Sequence, residues 1–350
     1  MSKKEKKQRS WKKSALTALC IFLGVILGTM IVSTAYLESL LGRINRPDDE
    51  TLSNEEIQQI IQNEAAEATG TGPVLRDEDL ETQPTISAPV TGSDTINIML
   101  IGKDARPGDK RSRSDAMILC TIRKSDNSLT MTSFLRDIYV KIPGGYAKNK
   151  MNTAYMFGGM NLLSQCLEEN FGIIVDNTVE VDFNGFMEII DIMGGVEIEL
   201  TDQEAKFMNS RGNWEVTQEA PWHLKAGKNL LTGSQALSYS RIRYIGTDFA
   251  RAERQKKVLT ALIDKVRDMN LMEMNNLVNQ LVSLITTDMT NAEITGYVLE
   301  LFPMLKDLNV ITQRIPLDNT YKFSVISGVG DSIIMDFEPN LEFLRQTLGD

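Results

Sequence analysis

Four short segments place charged residues where apolar strands should end. Gly102-Lys103-Asp104-Ala105-Arg106 closes the run INIMLIG, and Arg113-Ser114-Asp115 leads into AMILCTIR. Arg136-Asp137 leaves LTMTSFL, and the richest segment holds Arg241, Arg243, Asp248, Arg251, Arg254 and Gln255. Arg241 and Arg243 are two apart, so an extended chain would show both on one face. Asp248, Arg251 and Gln255 follow i, i+3, i+7 spacing, one stripe of a helix, with Arg254 off the stripe. Guanidinium forks bind the paired oxygens of a diphosphate in fixed geometry. Phosphoryl transfer asks a protein mostly for positioning and charge neutralisation. A divalent ion held by one or two carboxylates, with phosphate oxygens and water, supplies the rest. Asp115 and Asp248 are the carboxylates assigned to that ion. Magnesium suits such an all-oxygen set, because His223 is the only histidine and the three cysteines are scattered.

A single Arg–Asp pair is more often a surface ion pair worth under about 1 kcal/mol. An acid at a helix start is also favoured by the macrodipole alone. Recurrence at several strand ends, with arginine used nearly to the exclusion of lysine, argues for a shared polyanion.

The elements that must position these residues begin at Thr95. Three strand-like runs are followed by a helical pattern from about Gly158 to Asn170 and a β-rich stretch from Ile173 to Phe183. Asn184 reads as the cap of a helix that Gly194 ends. GVEIEL is a strand, and helices are expected over Thr232–Ser240, Asp248 to about Met269, and within Leu271–Leu308. Short strands are expected near Val310–Ile315 and Tyr321–Ile326. Alternation of this kind predicts an α/β fold, a central sheet sandwiched between helices.

Upstream the charge is uneven. Seven Lys and Arg residues against Glu5 give residues 1–13 a charge of +6, so a chain totalling −10 keeps −16 for the rest. An acidic body is a poor nucleic-acid binder. Ser14–Leu37 carries no charge and is long enough to span a bilayer. Lysines before it predict a cytoplasmic head and an exported body, making the chain a single-pass cell-membrane protein. A cleaved signal peptide, with Ser33-Thr34-Ala35 as its site, is the rival reading and exports the body equally. The basic head can touch anionic membrane lipid. Residues 38–94 read as an extracytoplasmic stalk, with a short helix capped by Ser53 and Glu56. Residues 95–350 are expected to form the folded, catalytic domain. The cysteines are expected to be unpaired. His223 reads as a surface residue, and no nucleotide-loop or acyl-transfer motif occurs.

At these residues the chain resembles the LytR–CpsA–Psr family of cell-wall glycopolymer transferases. NIMLIGKDAR, RSDAMIL, FLRDIYVKIPG, KMNTAYMFGG, VDFNGFMEIIDIMGGV, LTGSQALSYSRIRY and DFARAERQ stand in the family's order over about 96–262. The resemblance implies a sheet between helices with a hydrophobic tunnel. It implies transfer of a glycopolymer, with one phosphate, from a polyprenyl-pyrophosphate carrier to a peptidoglycan hydroxyl in a Gram-positive-type envelope. Arg113, Arg136, Arg241, Arg243 and Arg251 match its pyrophosphate-binding arginines, with Gln255 beside them. Asp115 and Asp248 match its Mg2+ ligands, and Asp104 matches an aspartate near the reacting phosphate. Phe134-Leu135 and the Met151 and Thr153 positions depart from the family's usual residues and leave the charged positions in place. A non-catalytic scaffold that binds the lipid pyrophosphate, or a hydrolase using water as acceptor, would use much of the same site.

Overall fold

A computed structural model describes residues 35–47, 52–66, 74–80, 83–103, 113–210, 222–242, 245–246, 248–267 and 269–349. The chain divides into two units, Met1–Ile44 and Asn45–Asp350. In the first, residues 35–41 are helical. Most of the expected Ser14–Leu37 span lies outside the described residues, among which no helix is long and apolar enough to cross a membrane.

In the second unit, six strands form the main sheet: β1 (Thr95–Lys103), β2 (Ser114–Arg123), β3 (Ser128–Phe134), β4 (Asn177–Asp182), β5 (Thr286–Thr287) and β6 (Asn309–Ile315). Their spatial order is β5-β4-β1-β2-β3-β6. β1, β2 and β3 pair antiparallel, whereas β4 runs parallel to β1 and β6 parallel to β3. The helices that matter most for the site are α1 (Met151–Phe171), α2 (Phe183–Ile192), α3 (Gly233–Ser240), α4 (Asp248–Arg267) and α5 (Phe337–Leu348).

Successive strand side chains point to opposite faces, so each strand feeds two cores. Met99, Ile101, Met117 and Leu119 pack with Leu163 and Leu167 of α1 and Leu341 and Leu344 of α5. Their neighbours Ile98, Leu100, Ile118 and Cys120 meet Leu259 and Ile263 of α4 on the other side. The sheet is therefore covered on both faces, as the sequence predicts. A third cluster joins the hairpin Val196–Leu200/Gly227–Leu231, the helix Asp202–Asn209 and α3 to Val258 of α4.

Three local readings are corrected. The cap of α2 is Asp182, whose Oδ1 accepts from the Gly185 N–H at 2.7 Å, two residues before the expected Asn184. α1 begins at Met151 rather than near Gly158, because Met151, Ala154 and Tyr155 are buried; Gly158 and Gly159 form a break inside it. Parts of the 38–94 stretch that lie in the second unit pack on it rather than standing free as a spacer. The helix Asn54–Ala66 does start on the Ser53–Glu56 box, with Ser53 N–H donating to Glu56 Oε2 at 2.9 Å. Ile57 and Val90, however, belong to the first core. Val74–Leu75 also adds a strand to the hairpin Tyr321–Ile326/Gly330–Met335. Burying Ile57 and Val90 contributes about 1.5–3 kcal/mol each, which holds these parts of the segment on the body.

Candidate active site

Asp115 is the second residue of β2, and Arg136 stands two residues beyond the end of β3. The antiparallel pairing of these strands brings the beginning of one beside the end of the other. Arg136 Nη1 donates to Asp115 Oδ1 at 2.6 Å, and its Nε donates to Asp137 Oδ2 at 3.3 Å. The backbone around Arg136 is fixed from three sides. Leu135 N–H donates to Ile315 O at 3.1 Å, Asn152 N–H to Arg136 O at 3.1 Å, and Ile333 N–H to Asp137 O at 2.8 Å.

Arg241 reaches the same carboxylate from another direction, its Nη1 lying 3.8 Å from Asp115 Oδ2. It is the residue that ends α3, with φ −103° and ψ 0°, so the extended, same-face pairing expected for Arg241 and Arg243 does not describe it. Its guanidinium carbon sits 4.1 Å above the centre of the Phe183 ring, a favourable place for a cation. α3 starts on a Thr232–Gln235 capping box and lies tight against α2. A Cβ at Gly233 would fall 2.1 Å from the carbonyl oxygen of Met187, so only glycine permits this approach.

Arg251 and Gln255 follow on α4. Both line a small recess with Asp115 and Arg136, which confirms the helical stripe for these two positions. Arg254, set aside as off the stripe, proves structural. It is buried, and its Nε donates to Glu204 Oε1 at 2.9 Å. Its Nη1 and Nη2 donate to the carbonyls of Ile242 and Ile245 at 3.0 and 2.6 Å. Arg254 thus clamps the connection that leaves Arg241. Burial pushes the Glu204 carboxyl upward, but the Thr201 backbone N–H, then Arg254 and the Thr201 hydroxyl, outweigh it and hold the group below its ordinary range.

Behind the arginines lies an apolar cavity of about 150 Å³. Leu100, Ile118, Val179, Val181, Phe186, Leu237 and Leu259 line its depth, while Asp115, Arg241, Arg251 and Gln255 stand at the polar end. Sequence pattern does not reveal this cleft, since its wall residues read as ordinary core. Arg314 was also missed: it stands over the Phe249 ring at 4.4 Å, on β6 opposite Ser133 of the recess.

The remaining predicted residues are placed as follows. Arg113 is half-buried where the chain enters β2, two residues before Asp115. Asp248 opens α4, its side chain outside the description. Asp104 and Arg243 lie outside the described residues. His223 is exposed, as expected. Cys120 and Cys166 are free and buried; Cys20 lies outside the described residues. Burial pushes the Cys120 thiol up to about 12 and raises Cys166 as well, so neither offers a thiolate. Among the described residues no group of three or more His, Cys, Asp or Glu gathers. The donor at the cleft is a hard carboxylate, Asp115, and an oxygen donor of this kind fits a magnesium-type ion completed by phosphate and water better than a closed thiolate or imidazole site.

The LytR_cpsA_psr family profile matches residues 59–334. The chain belongs to the LytR_cpsA_psr family. Among curated relatives it is 33% identical over 195 residues to the polyisoprenyl-teichoic acid–peptidoglycan teichoic acid transferase TagU of Bacillus cereus, covering 55% of this chain and 59% of that protein. It is 33% identical to TagU of Enterococcus faecalis, covering 52% of this chain and 57% of that protein. The match thus spans less than two thirds of these relatives' length. Among solved structures, B. subtilis TagV superposes with a TM-score of 0.59 at 26% identity, over 73% of this chain and 96% of TagV. A family protein, YwtF (TagT), with bound octaprenyl pyrophosphate lipid superposes with a TM-score of 0.56 at 25% identity, over 80% and 95% of the two chains.

Proposed function

We propose that this chain is a phosphotransferase of the cell envelope that moves a glycopolymer, with one phosphate, from a polyprenyl-pyrophosphate carrier to a peptidoglycan hydroxyl. The observation that carries the reading is the convergence of Asp115, Arg136, Arg241 and Arg251 at the polar end of an apolar cleft. A diphosphate with a hydrocarbon tail needs those two environments side by side. The family membership, the names of the TagU relatives and the lipid in the YwtF structure support the same chemistry.

In this reading the polyprenyl chain occupies the cleft and the diphosphate lies among the guanidinium groups. The acceptor oxygen attacks the sugar-proximal phosphorus, forming a new P–O bond as the bond to the bridging oxygen breaks. Polyprenyl phosphate leaves. Arg136, Arg241 and Arg251, with Arg113 and Arg243 nearby in sequence, hold the charge that develops on the phosphoryl oxygens. Asp104 is our candidate to take the acceptor's proton. Asp115 and Asp248 would hold Mg2+, which when bound supplies further neutralisation of the diphosphate. Ser14–Leu37 is read as the single membrane anchor, with the domain outside.

The test is reconstitution. The full chain in lipid nanodiscs receives a polyprenyl-pyrophosphate glycan, peptidoglycan oligomers and magnesium, and the joined product is measured by mass spectrometry. Joined product from wild type and its loss in Arg241→Ala is the expected result. Wild type and variant giving the same absence of product would sink the reading, whereas phosphate-bearing products formed without peptidoglycan would point to hydrolysis.

A further inference from the structure

We infer that the Phe323 and Tyr321 rings, with the mixed-charge groove that Tyr321 lines, seat the acceptor glycan; this rests on the transfer reading above. Behind the two rings lies Phe249, buried in the core. Phe249 follows Asp248 in the first turn of α4, the helix that carries Arg251 and Gln255. Its ring centre is 4.7 Å from that of Tyr321, which in turn lies 5.6 Å from Phe323 at an interplanar angle of 83°. Phe323 is 59% exposed. The hairpin holding Tyr321 and Phe323 is hung directly on the site. Phe323 pairs across it with Ile333, whose N–H donates to the carbonyl of Asp137, next to Arg136.

Tyr321 also lines a groove of about 590 Å³. Its walls carry both signs of charge, Lys148 and Lys322 with Asp79, Asp336 and Glu338. Each class of ligand would ask for a different surface. A lipid tail needs continuous apolar walls, and a polyanionic polymer needs walls that are only basic. A peptide-bearing glycan presents apolar C–H faces, hydroxyl edges, and stems with carboxylates and an amine. Aromatic rings offer a rigid apolar platform with ordered geometry. The exposed ring and the mixed-charge groove fit this last ligand, and the Ile333–Asp137 backbone bond holds the hairpin that carries them beside Arg136.

The experiment reads binding without turnover. The full chain in nanodiscs is titrated calorimetrically with a soluble peptidoglycan tetrasaccharide carrying stem peptides, and separately with a short-chain polyprenyl diphosphate. Phe323→Ala should weaken tetrasaccharide binding at least tenfold, Phe323→Trp should retain it, and diphosphate binding should be unchanged in both. Lys322→Glu should weaken the stem-bearing fragment more than a stem-free oligosaccharide. Tetrasaccharide binding that is absent in wild type, or unaltered in Phe323→Ala, overturns the inference. Fragment binding through Phe323 without any transfer would defeat the proposed reaction and leave this surface standing. Transfer with an unchanged acceptor KM in Phe323→Ala would do the reverse.

Discussion

Arg136 and Asp115, 21 residues apart, meet at 2.6 Å where the end of β3 passes the start of β2. Both side chains are about four-fifths buried, with 20% and 16% exposure. Removing either takes the shortest partner from the other, leaving Asp115 with Arg241 and Arg136 with Asp137, a cost of about 1–3 kcal/mol. Arg136→Ala should lower stability by that amount in denaturant titrations and weaken diphosphate binding. Arg136→Lys should recover stability better than binding, because an ammonium cannot reproduce the guanidinium fork. Equal recovery of both would argue against bidentate phosphate contact.

Arg254 is the residue whose loss should hurt the fold most. It is 4% exposed and holds buried Glu204. Breaking a buried pair by removing one partner costs about 3–5 kcal/mol. Arg254→Ala should show that loss in thermal or chemical unfolding. At permissive temperature it should also reduce turnover, since the Ile242 and Ile245 carbonyls lose their clamp.

Glu204 makes the same interaction testable by pH. Its native carboxyl is held below its ordinary range. Stability from a depressed acid is fully present above the unfolded value, about 4.3. It is lost as pH falls from there through the lower native value. Glu204→Gln should therefore flatten the acid limb of the stability profile below about pH 4.3. An identical acid limb in the variant would show that the carboxylate's pairing is not what the native state loses.

The apolar cleft should select for chain length. Val179 lines it and is half-buried, so Val179→Trp can fill the space without rebuilding the sheet. Long-chain polyprenyl diphosphates should bind at least tenfold more weakly, while inorganic diphosphate binds as before. Equal affinity for the long-chain donor in both proteins would place the lipid elsewhere.

A chain beginning at Thr95 should be markedly less stable than one beginning at Asn45, because it lacks Ile57 and Val90, 3% and 2% exposed. Ile57→Ala alone should cost about 2–5 kcal/mol. Coincident unfolding curves for the two chains would contradict the packing of this segment onto the core.

Asp115, Arg136 and Arg241 were readable from sequence because arginine and aspartate at element ends stand out against apolar runs, and helical spacing placed Arg251 and Gln255 on one face. The α/β layering was readable from alternation alone. Arg254 lies off the stripe as expected, but its clamping role was hidden because its partner Glu204 is 50 residues away. Asp182 was overlooked as a cap because it also ends a strand. The cleft was hidden because a side chain facing a cavity and one facing a packed core have the same pattern. Ile57 and Val90 were hidden by the polar, proline-containing stretch around them. The hairpin Tyr321–Ile326/Gly330–Met335 showed only its first strand, so the aromatic row that it completes with Phe249 needed tertiary structure to appear.

The central claim is that separate guanidinium groups share one diphosphate. A crystal structure of Asn45–Asp350 soaked with a C20 polyprenyl diphosphate tests it most directly. The account predicts the diphosphate between Arg136, Arg241 and Arg251, with the chain running along Leu100, Ile118 and Phe186. A diphosphate bound away from those arginines, or a hydrocarbon chain outside the cleft, would contradict it.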